Sequence, residues 1–303
     1  MEKANNPLLL YVAPAVFTLL WAGGYGVAKL GLQFAEPMTL LSLRYALAVL
    51  LLLPIYLALK PKLPTRLSDW LHITVVGILV QAIYFGFCWW AFGIGVSAGV
   101  VAIFMSLQPI LVAVSAPSIS GEKVSRLRWL GLLIGLAGVL VVIVARSEIE
   151  PPTVIGIGLC TLALFGITTG VLYEKRFGVS HHPVVTNMVQ YAAGFLVVLP
   201  IALGFETMQV DWTPKLMAAL GYLVIGNSIL AITLLLAMIR AGEVARVSSL
   251  MFLVPPLAAL FGWLLLGEKM PPIAWGGMAL AAIGVTLATR RIRVSQPSPQ
   301  HND

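Results

Sequence analysis

The sequence has few charged residues and few cysteines, and both shortages exclude classes of protein. Only 10% of the 303 residues are Asp, Glu, Lys or Arg, whereas a soluble globular domain carries about 25%. The two cysteines, Cys88 and Cys160, each lie within an apolar run, which argues against a disulfide framework and against a thiolate metal site. With 59% hydrophobic residues and a mean hydropathy of +0.96, most of the chain is expected to contact lipid or other apolar helices.

Motifs for nucleotide binding and for metal-dependent catalysis are also missing from the sequence. No Gly-rich loop ends in Lys-Ser or Lys-Thr, so the chain carries no ATPase site of its own. The glycines at 93, 95 and 99 follow no strand and are not a dinucleotide-binding fingerprint. His181-His182 is interpreted as a solvated turn. We therefore predict no enzyme activity, no cofactor and no metal site.

Ten apolar segments are long enough to cross a bilayer, which takes about 20 residues of helix. They cover residues 8–29, 38–59, 70–92, 97–117, 127–145, 152–174, 184–204, 214–238, 245–266 and 272–289. The sequence therefore predicts an all-α integral membrane protein with ten transmembrane helices. The polar residues 294–303, rich in Pro, Ser and Gln, are predicted to form a disordered cytoplasmic tail.

Lysine and arginine are divided unequally between alternate loops. Fourteen lie on one side of the predicted topology and four on the other. Because basic loops are retained in the cytoplasm, both termini are predicted to be cytoplasmic. The pI near 9.6 is explained by this loop bias, so no nucleic-acid partner is expected.

An internal repeat with an offset of 146 residues runs through the chain. The residues that agree at this offset include Pro37 with Pro183, Tyr45 with Tyr191, Pro54 with Pro200 and Trp129 with Trp275. The glycines of residues 131–138 and their equivalents at 277–284 predict a small-residue packing face in each copy. The halves, residues 1–148 and 149–293, each hold five predicted spans, so equivalent helices cross in opposite directions. Such a 5+5 inverted repeat is typical of transporters.

Polar side chains within the predicted spans are candidate substrate contacts, since such groups are costly in a bilayer. Gln81 and its repeat equivalent Asn227 lie at the middle of matched spans, where their amides can bind an ammonium or a carboxylate. Interhelical hydrogen bonding is the alternative role. Gln108 is a similar candidate without a polar equivalent, because Val254 takes that position. Ser248 is a weaker candidate, since its hydroxyl can bond its own helix backbone.

Aromatic residues near the predicted midplane and outer half are candidates for lining a cavity. They are Trp21, Tyr25, Tyr84, Trp89, Trp90 and Phe165. At least one of the adjacent Trp89 and Trp90 is expected to lie in the interfacial belt. Gln81 and Tyr84 are three residues apart, so an amide and a phenol share one helix face. A cavity of this kind suits a substrate with an apolar or aromatic side chain. Contact with lipid or with the membrane interface is the alternative.

Prolines interrupt the fourth and ninth predicted spans. Pro109 and Pro255 each remove a helical hydrogen bond, and Pro109 frees the carbonyl of Met105. The freed carbonyls can bind a cation or an ammonium group, and the kinks can act as hinges. A static kink that only shapes the bundle is the alternative.

No carboxylate lies near the middle of a predicted span. The nearest acids, Glu174 and Glu243, lie at the ends of the sixth and ninth spans. Proton-coupled carriers commonly use a buried acid, so transport without a coupling ion is favoured. Arg44 lies about 9 Å into its span and is expected to snorkel outward or to pair with Glu36.

The chain resembles the drug/metabolite transporter superfamily, in particular its EamA-type exporters, over essentially all ten spans. The residues that carry the resemblance are Trp21-Ala22-Gly23, Lys29, Pro37, Arg44, Pro109, Pro255, and Gly-Glu-Lys at 121–123 and 267–269. In overall likeness the chain is similar to the aromatic amino-acid exporters of the bacterial inner membrane. The resemblance implies a monomeric inner-membrane carrier that exports amino acids or related metabolites by alternating access. It favours a structural or gating role for Arg44. The alternative is export of drugs or other metabolites with proton coupling through a peripheral carboxylate.

Overall fold

The computed structural model describes residues 12–96, 98–119, 121–146, 153–178, 181–241, 244–266 and 270–289. Within these residues the fold is helical, apart from one isolated β-bridge between Ala35 and Val210. The predicted tail at 294–303, Glu243 and the second Gly-Glu-Lys turn at 267–269 lie outside the described residues.

The described helices are numbered in chain order. They are α1 (Ala13–Gly31), α2 (Pro37–Leu59), α3 (Leu67–Gly93), α4 (Ala98–Ser106), α5 (Gln108–Ile119), α6 (Arg126–Arg146), α7 (Val154–Phe177), α8 (Pro183–Phe205), α9 (Pro214–Ala241), α10 (Val244–Ser248), α11 (Val254–Leu266) and α12 (Pro272–Thr289). A 3₁₀ turn at Ser249–Leu253 joins α10 to α11.

In the described part of the chain, eight helical stretches are long and apolar enough to cross a membrane. They are α2, α3, the α4–α5 pair, α6, α7, α8, α9 and α12, and they coincide with eight of the ten predicted segments. The first predicted segment forms α1, which has 19 residues and carries Lys29 in its last turn. The ninth is divided by the 3₁₀ turn before Pro255. Neither of these two is among the eight.

Proline sets the beginning of several helices, because its missing N–H is not needed in the first turn. α2 begins at Pro37 and α8 at Pro183, and each helix has 23 residues. The repeat offset found in the sequence therefore recurs in the boundaries of these two helices.

The most extensive helix contact among the described residues joins α6 to α12. Their glycines face one another with backbone against backbone. A Cβ atom on Gly138 would lie 2.7 Å from the carbonyl oxygen of Gly277, and one on Gly284 would lie 2.7 Å from that of Gly131. The two predicted small-residue faces thus pack on each other, and the two helices run antiparallel.

Two carboxylates tie the beginning of α2 to the end of α8. Glu206 accepts hydrogen bonds from the amides of Met38 and Thr39 at 2.8 and 2.7 Å. In the reverse direction, Glu36 accepts from the amide and the hydroxyl of Thr207, both at 2.7 Å. The first turn of α2 and the last turn of α8 therefore lie at the same end of the molecule, so these helices also run antiparallel.

α3 and α9 each contain a π-helical stretch at a matched position, Ile78–Phe85 in α3 and Tyr222–Ala231 in α9. Widened turns of this kind leave backbone groups to be satisfied by neighbours and occur frequently at functional sites. A buried tyrosine supplies one such hydrogen bond to each stretch. The bonds are Tyr45 Oη to the carbonyl of Gln81 at 2.7 Å and Tyr191 Oη to that of Ser228 at 2.6 Å.

Candidate functional site

A small cavity lies between α1, α2, α3 and α9, at the level of the two π-helical stretches. It is lined by Trp21, Gly24, Tyr25, Arg44, Tyr84, Phe85, Cys88, Trp89 and Asn227. The space open to the centre of a water molecule is about 10 Å³, enough for about one water. As the structure stands, the cavity is too small to hold a molecule the size of an amino acid.

Three of the predicted aromatic residues meet in this cavity. The ring of Trp21 is nearly parallel to that of Tyr84, at 7° with 6.3 Å between centroids. The hydroxyl groups of Tyr25 and Tyr84 are 2.8 Å apart and hydrogen-bonded. Phe85 lies beside Trp21 at 5.8 Å. These rings form an aromatic wall with one phenol pair on it.

Arg44 is fully buried at the cavity, with 0% of its surface exposed. Its Nε donates a hydrogen bond of 2.7 Å to the hydroxyl of Ser228. Within the described residues, Nη1 and Nη2 have no hydrogen-bond partner. The guanidinium carbon lies 4.4 Å from the ring centre of Phe85 and 5.7 Å from that of Trp89.

The prediction that Arg44 snorkels outward or pairs with Glu36 is wrong. Glu36 is engaged with Thr207, and Arg44 is enclosed by α2, α3 and α9. Burying an ion without a counter-ion costs several kcal/mol, whereas a desolvated cation–π contact contributes about 2 kcal/mol. In this form the cavity therefore carries a positive charge that the aromatic rings only partly offset.

The matched amides Gln81 and Asn227 occupy different surroundings. Asn227 lines the cavity, and its Oδ1 is buried without a hydrogen-bond partner among the described residues. Gln81 is fully buried outside the cavity lining, with its Cβ against Gly194 of α8. Of this predicted pair, only Asn227 is among the residues that line the cavity.

Gln108 and Ser248 lie together at a second position. The Nε2 of Gln108 donates to the Ser248 hydroxyl at 3.4 Å, and its Oε1 is buried without a described partner. Neither residue is among those lining the cavity. Their hydrogen bond joins the beginning of α5 to the end of α10. These ends lie next to the breaks between α4 and α5 and between α10 and α11.

Phe165 lies away from the cavity and is 56% exposed. The next residue, Gly166, packs so closely on α3 that a Cβ there would lie 2.9 Å from the amide nitrogen of Tyr84. Neighbouring residues on a helix point about 100° apart. Because Gly166 faces α3, Phe165 faces outward, and the prediction that it contacts substrate is not supported by its position.

The helices are interrupted at both predicted prolines. α4 ends at Ser106 and α5 begins at Gln108, one residue before Pro109. On the other side, the 3₁₀ turn Ser249–Leu253 precedes Pro255. The interruptions are therefore present where hinges were predicted.

Sequence reasoning missed Phe85 and Cys88 as cavity residues. It assigned at least one of Trp89 and Trp90 to the membrane-interface belt, and of that pair Trp89 lines the cavity. Tyr84 with Cys88, and Phe85 with Trp89, are spaced four residues apart on α3, so they extend the stripe that begins at Gln81. Following the helix face of Gln81 for two further turns would have identified these residues from the sequence.

The end of the molecule opposite the Glu36–Glu206 contacts carries a charged network. Glu174 is buried and forms an ion pair with Arg240. Lys175 lies 3.8 Å from Glu122, which in turn accepts a hydrogen bond of 2.9 Å from the amide of Val244 at the beginning of α10. The network ties α7 and the turn after α5 to the α9–α10 region. Among the described residues, no group of three His, Cys, Asp or Glu could hold a metal ion.

Comparison with known proteins gives relatives along most of the chain. The protein named "Uncharacterized inner membrane transporter YedA" from Escherichia coli (strain K12) is 28% identical over 285 residues, covering 93% of this chain and 91% of its own. A "Probable amino-acid metabolite efflux pump" from Salmonella typhimurium is 25% identical over 306 residues and covers 97% of both chains. One crystal structure superposes with a TM-score of 0.76 at 18% identity, covering 92% of this chain and 96% of its own, which shows a shared fold.

The sequence model of the EamA-like transporter family matches twice, at residues 8–144 and at residues 154–290. The two matches begin 146 residues apart, the offset of the internal repeat. Together they cover nearly all of the chain. The protein therefore belongs to the EamA-like transporter family, and its function is the transport of small molecules across a membrane rather than catalysis.

Proposed function

We propose that the protein is an inner-membrane carrier that exports amino acids with aromatic or other apolar side chains. The observation that carries the proposal is the aromatic wall of the cavity, where Trp21, Tyr25 and Tyr84 meet. Such a wall binds an apolar or aromatic side chain by stacking and edge contacts. The relative named as an amino-acid metabolite efflux pump and the relative named as an inner membrane transporter support this class and location.

The proposed architecture is ten transmembrane helices in two inverted halves, residues 1–148 and 149–293. The two family matches and the antiparallel packing of the equivalent pairs α2–α8 and α6–α12 support it. The excess of basic residues on one side, fourteen against four, supports the proposal that both termini are cytoplasmic. The cavity is built within one chain, which suits a monomeric carrier.

The small size of the cavity in this structure supports the proposal of alternating access. Space for about one water cannot hold an amino acid, so the helices around it move apart when substrate enters. The interruptions beside Pro109 and Pro255 are the proposed hinges. Because Gln108 and Ser248 lie at these interruptions, we include them with Asn227 and Gln81 as polar groups that substrate meets as the cavity opens.

The proposal is tested by counterflow in proteoliposomes preloaded with unlabelled phenylalanine. Labelled phenylalanine is expected to enter without any ion gradient. Asn227→Ala should lower the initial rate about tenfold or more, because it removes a hydrogen-bond partner of a charged substrate group. The control Thr161→Ala removes an exposed hydroxyl that bonds only its own helix and should leave the rate unchanged.

Absence of exchange for every amino acid tested would exclude this substrate class and favour drugs or other metabolites. Normal exchange in Asn227→Ala would leave the proposed transport activity in place and would show that Asn227 does not bind the substrate.

Transport is proposed to proceed without a coupling ion, since no residue that lines the described cavity is acidic. The buried acid Glu174 is held by Arg240. A pH gradient imposed on the same vesicles is therefore expected to change the initial rate less than about twofold. Strong stimulation that is lost in Glu174→Gln would instead establish the alternative, proton coupling through a peripheral carboxylate.

A further inference from the structure

Two guanidinium nitrogens of Arg44, Nη1 and Nη2, make no hydrogen bond of normal geometry among the described residues, although the hydroxyl of Tyr191 lies close to the group. Nε is bonded to Ser228, and both Nη atoms are buried. Two adjacent N–H donors on one planar group match the two oxygens of a carboxylate. The residue lines the cavity beside the aromatic wall, so these donors are within the space that a substrate must occupy.

Nearby acids do not neutralise Arg44. Glu36 accepts from Thr207, and Glu206 accepts from Met38 and Thr39. Both carboxylates thus hold helix ends together instead of facing the cavity. The residues that line the described cavity include one cation and no anion. One carboxylate group balances the charge of the guanidinium, whereas a phosphate monoester, with about two negative charges at neutral pH, leaves one in excess.

The orientation of the guanidinium is fixed from two sides. Ser228 of α9 holds Nε, and the carbonyl of the same residue accepts the hydroxyl of Tyr191. The ring of Phe85 lies 4.4 Å from the guanidinium carbon and packs on it as aromatic faces do on cations. Arg44 is therefore a preorganised anchor, with its free donors set before any ligand arrives.

We propose that Arg44 binds the carboxylate of the transported molecule and makes the carrier selective for carboxylates over amines. The Oδ1 of Asn227, which also lacks a described partner, is then available to the α-ammonium group. The assignment of the carboxylate to an amino acid rests on the proposed function, but the preference for a carboxylate does not.

The test compares ligands that share a phenyl ring and differ in their charged group. The thermal midpoint of the purified full-length protein in detergent is measured with L-phenylalanine, 3-phenylpropionate, phenethylamine and phenyl phosphate. We expect the first two to raise the midpoint, and phenethylamine to bind about tenfold or more weakly, because it cannot use the Arg44 donors. In Arg44→Gln the effect of 3-phenylpropionate should disappear, and Arg44→Lys should restore it only in part, since an ammonium lacks the planar fork.

Several results would overturn the anchor. They are equal or tighter binding of phenethylamine, tighter binding of phenyl phosphate, no effect of either carboxylate on the wild type, and an undiminished effect of 3-phenylpropionate in Arg44→Gln. If Arg44→Gln does not fold, the ranking of the four ligands on the wild type decides the question.

The outcomes also separate this inference from the proposed function. Binding of 3-phenylpropionate through Arg44, together with no counterflow of any amino acid, would support the anchor and overturn amino-acid export. Counterflow of phenylalanine that phenethylamine inhibits as well as phenylalanine does would overturn the anchor and leave amino-acid export in place.

Discussion

Replacing Gly24 by alanine is expected to remove most of the transport activity, while the same change at Gly26 should leave it nearly intact. A Cβ on Gly24 would overlap the side-chain amide of Asn227, lying 2.8 Å from its Cγ. A Cβ on Gly26 meets nothing within 4 Å. Both glycines belong to α1, so the pair separates the effect on the cavity from the effect of alanine on the helix.

The expected loss is large because the added methyl group displaces a residue that lines the cavity. Loss of a hydrogen bond to a charged substrate group lowers binding about tenfold or more. Initial rates of phenylalanine counterflow per amount of reconstituted protein give the measurement. Comparable rates for Gly24→Ala and Gly26→Ala would mean that Asn227 does not need its present position.

The second large effect is expected at the α6–α12 contact. A Cβ on Gly284 would lie 2.5 Å from the Cα of Gly135, and backbone atoms at such a contact cannot rotate away as a side chain can. Overpacking of this kind costs about 1–3 kcal/mol and occasionally more. Gly284→Ala should therefore lower the free energy of unfolding and the yield of folded protein.

The matched control is Gly276→Ala on the same helix, where an added Cβ meets nothing within 4 Å. Alanine is favoured over glycine in a helix by about 1 kcal/mol, so this variant should be as stable as the wild type or more stable. Thermal midpoints in detergent, read from intrinsic tryptophan fluorescence, compare the two. Equal thermal midpoints for Gly284→Ala and Gly276→Ala would contradict the prediction. They would mean that α6 and α12 can move apart to accept the added methyl group at no cost in stability.

Much of the helical framework could be predicted from the sequence, because crossing a bilayer imposes a length and a composition. The second segment was predicted at 38–59, and α2 covers Pro37–Leu59. The final segment, 272–289, has the bounds of α12. Such agreement follows from the prolines and charges that flank apolar runs, which are local signals. The offset of 146 residues was equally visible in the sequence, since it depends on residue identity alone.

The site was only partly predictable from the sequence. The position of a residue along an apolar segment gives its expected depth in the membrane, but the side of the helix that faces the cavity depends on the neighbouring helices. Tyr84 and Asn227 were predicted as substrate contacts from the sequence, and both line the cavity. Gln81 is not among the lining residues, because α8 packs closely on its Cβ at Gly194. The outward position of Phe165 has the same kind of cause. Which side of a helix faces the cavity is decided by small residues on its neighbours, and these contacts join residues distant in sequence.

The position of Arg44 could not be deduced from the sequence for a related reason. An arginine near a helix end normally reaches the membrane surface with its long side chain. Here the hydroxyl of Ser228 and the ring of Phe85 hold the guanidinium inside. Both partners lie on other helices, so only the assembled bundle reveals the site.

The π-helical stretches at 78–85 and 222–231 also determine where the chain can change in length. A π turn corresponds to one residue inserted into an α-helix. Deleting a residue within either stretch restores regular α-helix and leaves both flanking segments in phase with their neighbours. A deletion elsewhere in α3 or α9 rotates every following side chain by about 100°. Each of these two helices therefore contains one site where a natural deletion is compatible with the fold.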